Sequence, residues 1–520
     1  MQKVAFSLAI ATIATLLALT IPAVTQPVTD APSGFDDSTS IEPVQHPEDK
    51  QAFDKVELKT PDGLGPVYNA QACRECHQNP VSGGASQIVE QRAGRTGTHG
   101  QFFFPTVPII GDTIKGRTLI NDRAICPQAQ EHVPASANIR TNRLSLNLLG
   151  DGFIEAVPDS FILARRDAQC FPKGTTNPSG TESVCGVALF VDILEAPGVP
   201  NQRLGRFGWK NQHASLLSFA ADAYLNEMGI TNRLQKDEVT LVCNPRVSDK
   251  KSDDTVTEPN DQPEDGLEDI DRFARFMRGT RTPPRLIPSD RADTIRHGEE
   301  VFKRTGCELC HAQEMFTATP GTRINGGGFE ITAALGNKRF QPFSDFLLHD
   351  VGTGDGIAIS PIEHYGRAIA LNLLERDRTT LEAVPLTQRE IAILEESRLA
   401  QTRGEQIAAF PLEGAQQSLR APIAISPFQY ADVCNPRILA QIDSPAKQRF
   451  YRTVLCTTNH LRTPALWGLH QRSRFMHDGN SVTLEDAIMR HKGEAATVTE
   501  RFRNLIAKDK ADLLEFLGSL

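Results

Sequence analysis

Apolar positions recur at helical spacing in five stretches of this chain, and those stretches frame everything else. Between Trp209 and Met228, residues Leu216, Leu217, Ala220, Ala221 and Leu225 form one stripe, which predicts a helix that Gly229 ends as a C-cap. A second helix is expected at Asp269 to Arg278, stopped by Pro283-Pro284. A third, Thr294 to Arg304, runs directly towards Cys307. Near the end, Phe502, Leu505, Ile506, Leu513, Leu514 and Leu517 keep the same period and predict one helix over Glu500 to Leu517. The shortest begins at Thr483, a natural N-cap, with Glu485 and Asp486 in a first turn where the helix dipole favours acids. Leu484, Ile488 and His491 then share a face at i, i+4 and i+7.

Elsewhere the pattern changes character. Val4 to Ile21 is nearly unbroken apolar sequence behind Lys3, broken by Pro22-Ala23. This reads as an export signal over residues 1–25, with an uncleaved anchor as the alternative. No second long apolar run follows, so the mature chain is expected to have no place in a membrane. Residues 26–50 are rich in Pro, Asp, Ser and Thr and read as a disordered or extended leader. From Gly83 to Pro200 the density of Gly, Pro and Asn implies many short elements joined by turns. Residues 248–269 are charged and poor in apolar side chains, the pattern of a surface loop or linker. A boundary near Pro288 divides what remains into an N-terminal region, 51–287, and a C-terminal one, 288–520.

With 520 residues, 39% of them apolar and 23% charged, the chain has the composition of a globular protein with more than one core. Its net charge of −9 argues against a nucleic-acid partner and suits the attraction of small basic redox proteins. Four of the ten cysteines lie in Cys73-Arg74-Glu75-Cys76-His77 and Cys307-Glu308-Leu309-Cys310-His311. That spacing lets one turn of chain offer two thiols to the vinyl groups on one side of a haem, while the next residue, His, reaches the iron. A zinc site would want a second pair of ligands nearby, and a redox dithiol a strand–helix context. The expected cofactors are therefore two covalently bound haem c groups. Cys73, Cys76, Cys307 and Cys310 would hold them, with His77 and His311 as axial ligands. The other six cysteines suit disulfides in an exported protein. Proximity in sequence suggests Cys170 with Cys185 and Cys434 with Cys456, leaving Cys126 with Cys243, among fifteen possible pairings.

A haem that only carries electrons has both axial positions filled, whereas one that reacts with a peroxide needs a position that is open or can open. His491 continues an apolar face and, if buried, needs a polar partner, which iron would be. The alternative is a partly exposed histidine ending a short helix.

The chain resembles the di-haem oxidoreductase (putative peroxidase) family, which is related to the bacterial di-haem cytochrome c peroxidases. The resemblance rests on Gly63-Leu64-Gly65-Pro66-Val67-Tyr68-Asn69 before the first haem motif, on Gly205-Arg206-Phe207-Gly208-Trp209-Lys210, and on Gly229-Ile230-Thr231-Asn232. It continues through Ser344-Asp345-Phe346-Leu347-Leu348-His349-Asp350-Val351-Gly352, Arg462-Thr463-Pro464-Ala465-Leu466-Trp467-Gly468 and Phe475-Met476-His477-Asp478-Gly479, and so covers nearly all of the mature chain. It implies that the Thr483 helix presents the distal ligand of the C-terminal haem, a Met in the related peroxidases and His491 here. A His/His haem would have a lower potential than a His/Met one. It also implies that the haem on His77 is the peroxidatic one. His99 sits about where the relatives have a displaceable His, and Glu155 is the candidate distal acid. His349 and His477 match positions near the haems, where they would hydrogen-bond propionates or loops. Arg462 is a candidate propionate partner. Trp209 and Trp467 are candidates for a place between the haems. Calcium binds between the domains of some relatives and is a possible further cofactor.

The expected fold is mainly α: two cytochrome c-like haem domains facing each other, with long irregular insertions and a few short strands. The expected function is a periplasmic di-haem oxidoreductase of peroxidase type. A small periplasmic cytochrome c or cupredoxin would deliver electrons to the C-terminal haem, and a small-molecule oxidant, peroxide or another, would be reduced at the N-terminal one. The rivals are a pure electron-transfer di-haem cytochrome and a di-haem oxidase acting on an organic or protein substrate.

Overall fold

The computed structural model describes residues 27–36, 40–41, 46–97, 102–170, 184–196, 202–244, 268–360 and 457–520. Its helices are α1 (His46–Asp54), α2 (Cys73–Cys76), α3 (Asp151–Glu155), α4 (Asp159–Gln169), α5 (Leu216–Met228), α6 (Asp269–Gly279), α7 (Ala292–Thr305), α8 (Leu484–Met489), α9 (Ala496–Arg503) and α10 (Ala507–Leu517).

The helical stripes place these elements well and their ends less so. α5 starts at Leu216 because the Ser215 hydroxyl caps it, accepting from the backbone N–H groups of Leu217 (3.1 Å) and Ser218 (3.4 Å). Gly229, at φ 71°, closes it. The single helix expected over Glu500 to Leu517 is two, α9 and α10. The chain turns extended at Ile506 (φ −64°, ψ 155°), whose side chain faces solvent although it fits the apolar period.

Each half sets a helix ahead of its Cys-x-x-Cys-His against a helix much later in the chain. In the first half α1 packs on α6, with the Phe53 and Phe276 rings 4.5 Å apart, and α6 meets α5 through Phe273 and Tyr224. In the second, α7 crosses α10 at Gly298, where a Cβ would lie 1.9 Å from the Asp512 carbonyl oxygen; only glycine allows that approach.

The expectation of a mainly α fold is corrected. The described residues are 31% helical and 17% strand, so strands carry a large part of the architecture. The main sheet runs Val89–Thr96 antiparallel to Ile139–Leu144 over six paired residues, with Leu119–Ile120 and Phe102–Phe103 also paired to Val89–Thr96. Most other strands are two to four residues long, too brief for a period-two pattern to stand out among glycines and prolines.

Where it is described, the polar leader is extended and paired. Thr29–Asp30 pairs in parallel with the strand Lys338–Phe340, Ser33 bridges to Thr282, and the Ile41 N–H donates to the Gly279 carbonyl (2.9 Å). The segment is held by backbone pairing at a sheet edge, where prolines are tolerated, and by Ala31 and Ile41, which pack on the core, and Phe35, whose ring meets His470 edge-on at 5.6 Å. Disulfides join Cys126 to Cys243 and Cys170 to Cys185. The export signal, His99, Cys434, Cys456 and most of the charged stretch 248–269 lie outside the described residues. Among the described residues, no helix is long and apolar enough to cross a membrane.

Candidate functional site

Two large cavities open beside the two Cys-x-x-Cys-His turns. They enclose about 1390 and 1500 Å³ of non-atom space, a figure that includes their open mouths. In the first, α2 is a single turn: the His77 N–H donates to the Cys73 carbonyl (3.0 Å), which brings Cys73, Cys76 and His77 to one wall. Burial pushes His77 down to about 4, so its ring is neutral, and its Nδ1 has no partner among the described residues. No second histidine among the described residues lines this cavity.

Polar groups gather on the strands and on α5. Arg92 grips Glu90 through Nε (2.8 Å) and Nη2 (3.1 Å), and Asn69 donates to Glu227 (2.7 Å). Desolvation, then the charge of Glu90 and the hydrogen bond between the two carboxyls, raise Glu227 well above the usual glutamate range. For Glu90, desolvation is outweighed by Arg92, and its titration is lowered. The pair therefore holds a proton, on the Glu227 side, to higher pH than an ordinary glutamate would. Lys210 is buried with Nζ 2.8 Å from Asp355, which Arg143 also holds (2.7 Å); desolvation brings Lys210 down to about 8 against the pull of Asp355.

In the second cavity, His311 Nδ1 lies 3.0 Å from the Phe343 carbonyl and His491 Nδ1 lies 2.8 Å from the Ala487 carbonyl. A carbonyl only accepts, so both rings carry their proton on Nδ1 and keep the Nε2 lone pair free. Burial, reinforced for His311 by His491, lowers both and keeps them neutral. Their ring centroids are 6.5 Å apart across the cavity. Imidazole binds a metal ion at about 2 Å with its centroid about 1 Å further back, so two rings on one ion would stand about 6 Å apart. Arg462 and Arg472 also line this cavity, each with an Nε that has no hydrogen-bond partner among the described residues. Burial brings both down to about 10.

Leu144, Ser145, Leu146 and Trp209 border both cavities. Trp209 Nε1 donates to the Leu144 carbonyl (2.7 Å), and its ring meets His477 edge-on at 6.1 Å. Trp467 lines neither cavity; it is a core residue packed on Phe340. His477 lines the second cavity and is pushed down to about 4 by burial. His349 is bound between Asp345 (2.8 Å) and Glu494 (2.9 Å).

Glu155 stands outside this arrangement. It lines neither cavity, and its carboxylate accepts from Arg278 Nε (2.6 Å) and Nη2 (2.9 Å), Leu216 N (2.9 Å) and Asn325 Nδ2 (2.9 Å). It is a structural clamp, and the sequence reading of it as a distal acid is set aside. The carboxyl pair and the Lys210–Asp355–Arg143 cluster were not read from sequence, because no local pattern links partners that only the fold joins. Among the described residues, Cys310, Asp345 and His349 form a group of donors within reach of one another, a mixed set unlike the all-oxygen cage of calcium.

Two cavities, each beside a Cys-x-x-Cys-His turn and sharing one wall, define a two-centre protein. The model of the family described as "Di-haem oxidoreductase, putative peroxidase" matches residues 135–363 and 449–520, more than half of the chain, and the chain belongs to that family. The second motif, Trp209 and His491 fall inside the match; the first motif precedes it. No curated protein matches. Among solved structures, hydrazine synthase of Kuenenia stuttgartiensis, pressurised with xenon, is similar at 16% identity over 48% of this chain and 55% of its own. This chain thus spans about half the length of that one, and a TM-score of 0.22 carries no argument.

The residues present fit a haem in each cavity. Each has a neutral histidine beside paired thiols, and burial pushes the Cys76 and Cys307 thiols up to about 12, the opposite of a zinc thiolate. The second adds opposed imidazoles and two arginines with unpartnered Nε groups that suit carboxylates.

Proposed function

We propose that this di-haem oxidoreductase is a peroxidase-type enzyme whose oxidant is reduced in the first cavity with electrons received through the second. The observation that carries this is the asymmetry of the cavities. His311 is faced by His491 in the second cavity, and a carboxyl pair, Glu90 with Glu227, lines the first. Cys73 and Cys76, and Cys307 and Cys310, would bind haem covalently, with His77, His311 and His491 as axial ligands. The bound haems supply the two electrons that turn one peroxide, with two protons, into two waters.

The chain's own groups manage the rest. Glu227 keeps a transferable proton on its carboxyl, Glu90 stays ionised to draw it back, and Arg92 fixes Glu90 in place. Arg143, Lys210 and Arg92 favour anionic character in the cavity. Trp209 fills the shared wall and offers its ring as the short path between centres. The apolar leader of the sequence and two disulfides support a periplasmic setting, where a small cytochrome c or cupredoxin would be the donor.

Optical and EPR spectra of the matured protein, oxidised and half-reduced, test this. One high-spin centre that changes on peroxide beside one low-spin centre is the expected result. Two low-spin centres indifferent to peroxide in every redox state would overturn it and leave an electron carrier.

A further inference from the structure

The segment that carries His491 is poorly anchored by its own helix. α8 has six residues, none of them fully buried, and His491 follows it after Arg490. So short a helix has little stability of its own. Something else must hold the ring in place.

Besides the Arg490–Asp478 pair and the Thr499 hydroxyl that donates to the His491 carbonyl (2.9 Å), an anchor lies in the strand Leu348–His349. His349 is 1% exposed, and its two ring nitrogens each meet a carboxylate: Nε2 is 2.8 Å from Asp345 and Nδ1 2.9 Å from Glu494. Carboxylates only accept, so both nitrogens donate and the ring is an imidazolium. Asp345 is anchored on the strand side, accepting from the Leu347 N–H (3.0 Å). Glu494 follows His491 by three residues and is stitched to the same strand end. Its N–H donates to the Asp350 carbonyl (2.9 Å), its Oε1 accepts from the Asp350 N–H (3.3 Å), and the Lys492 N–H donates to the Val351 carbonyl (2.7 Å). The seam is tight: a Cβ on Gly493 would lie 2.2 Å from the Asp350 oxygen, and one on Gly352 would lie 2.5 Å from Lys492 Cβ. The Cys310 sulfur is 3.8 Å from His349 Nδ1, so the same side chain touches the haem-motif turn opposite His491.

We propose that His349 is a positioning residue, a charged buckle that fixes His491 at its distance from His311 by joining Asp345 on the strand to Glu494 on the ligand's own segment. The inference rests on the reading of His491 as an axial ligand. A cation between two carboxylates suits this task, because one ring draws both segments together, and its loss would leave two carboxylates facing each other with nothing between them.

The test uses the full-length, haem-loaded protein and the variants Glu494→Gln, His349→Gln and His491→Ala. It reads the low-spin EPR signal of the C-terminal haem and a cyanide titration of that haem in the ferric state. Cyanide must displace His491 to bind, so a loosened ligand shows as tighter cyanide binding. Glu494→Gln and His349→Gln are each expected to raise apparent cyanide affinity by about 10–100-fold, with a diminished low-spin signal. The double variant should add little, since both break one buckle. Glu494 is partly exposed, so its variant keeps the fold and decides the matter should His349→Gln not mature. The N-terminal haem's unchanged spectrum reports folding. Unchanged cyanide affinity in Glu494→Gln, with a raised affinity in His491→Ala, would overturn the buckle alone. No change in His491→Ala would overturn the ligand reading, and the buckle with it.

Discussion

Glu155→Ala separates structure from chemistry most sharply. The Glu155 carboxylate is fully buried and satisfies four donors, two of them on Arg278, whose side chain is 11% exposed and lies over the Phe329 ring at 4.1 Å. Its removal leaves the Arg278 charge without a counter-ion and the Leu216 N–H without a partner at the start of α5. Breaking a buried pair from one side costs about 3–5 kcal/mol. At about 2–4 °C per kcal/mol, the cooperative unit should melt about 6–20 °C lower. Thermal unfolding of the holoprotein, followed by circular dichroism, measures this, and peroxide turnover is assayed well below both midpoints. Burial works to raise the Glu155 titration, but Arg278 and the other donors outweigh it, so the folded carboxyl titrates below the ordinary value of 4.5. The stabilisation is therefore complete above that value and lost as pH falls through the lower folded one, and the variant's deficit should vanish in acid. A variant that melts with the parent yet has lost peroxide turnover would refute the clamp and return Glu155 to the chemistry.

Three further outcomes are expected. Glu227→Gln should lower kcat/KM for peroxide by about 10²–10⁴-fold and abolish the fall in rate that the parent shows as pH rises through the raised Glu227 titration; an unchanged pH profile would count against the carboxyl pair. Trp209→Phe should slow electron passage between the centres in rapid-mixing reoxidation while leaving both haem spectra intact, because a smaller aromatic ring keeps the wall filled while the indole and its bond to Leu144 are lost. Replacing Cys126 and Cys243 together by Ser removes a cross-link spanning 117 positions and should cost about 2–5 kcal/mol in urea unfolding, with no further loss on adding reductant to that variant beyond that due to Cys170–Cys185.

What the sequence made legible was what neighbours in the chain decide. The haem-motif turns, the stop at Gly229 and the Thr483 cap are local, and periodicity or spacing reveals them; the Thr483 hydroxyl does accept from Asp486 N at 3.0 Å. His491 was legible because its apolar face left one polar group unexplained. Glu155 misled for the converse reason. A glutamate in an apolar stretch raises the same question of what satisfies it, but its answer, Arg278, lies 123 positions away and carries no local mark. The strands escaped for want of length, and the leader's partner, Lys338–Phe340, because it lies 309 positions away.

The cavities also explain why two motif landmarks do not make two independent centres. The first is closed partly by Ala358, Ile359 and Ser360 from the second half, and Lys210 reaches across to Asp355 and to the Thr458 (3.2 Å) and His460 (2.9 Å) carbonyls. The second is closed partly by Ser86, Leu144, Leu146 and Trp209 from the first half. The strand Leu348–His349 pairs with Leu461–Arg462 and bridges to Val187, so the buckle that steadies His491 is itself seated on first-half backbone. A shift of one half against the other would therefore alter the shared Trp209 wall, the polar side of the first cavity and the seat of His349 together.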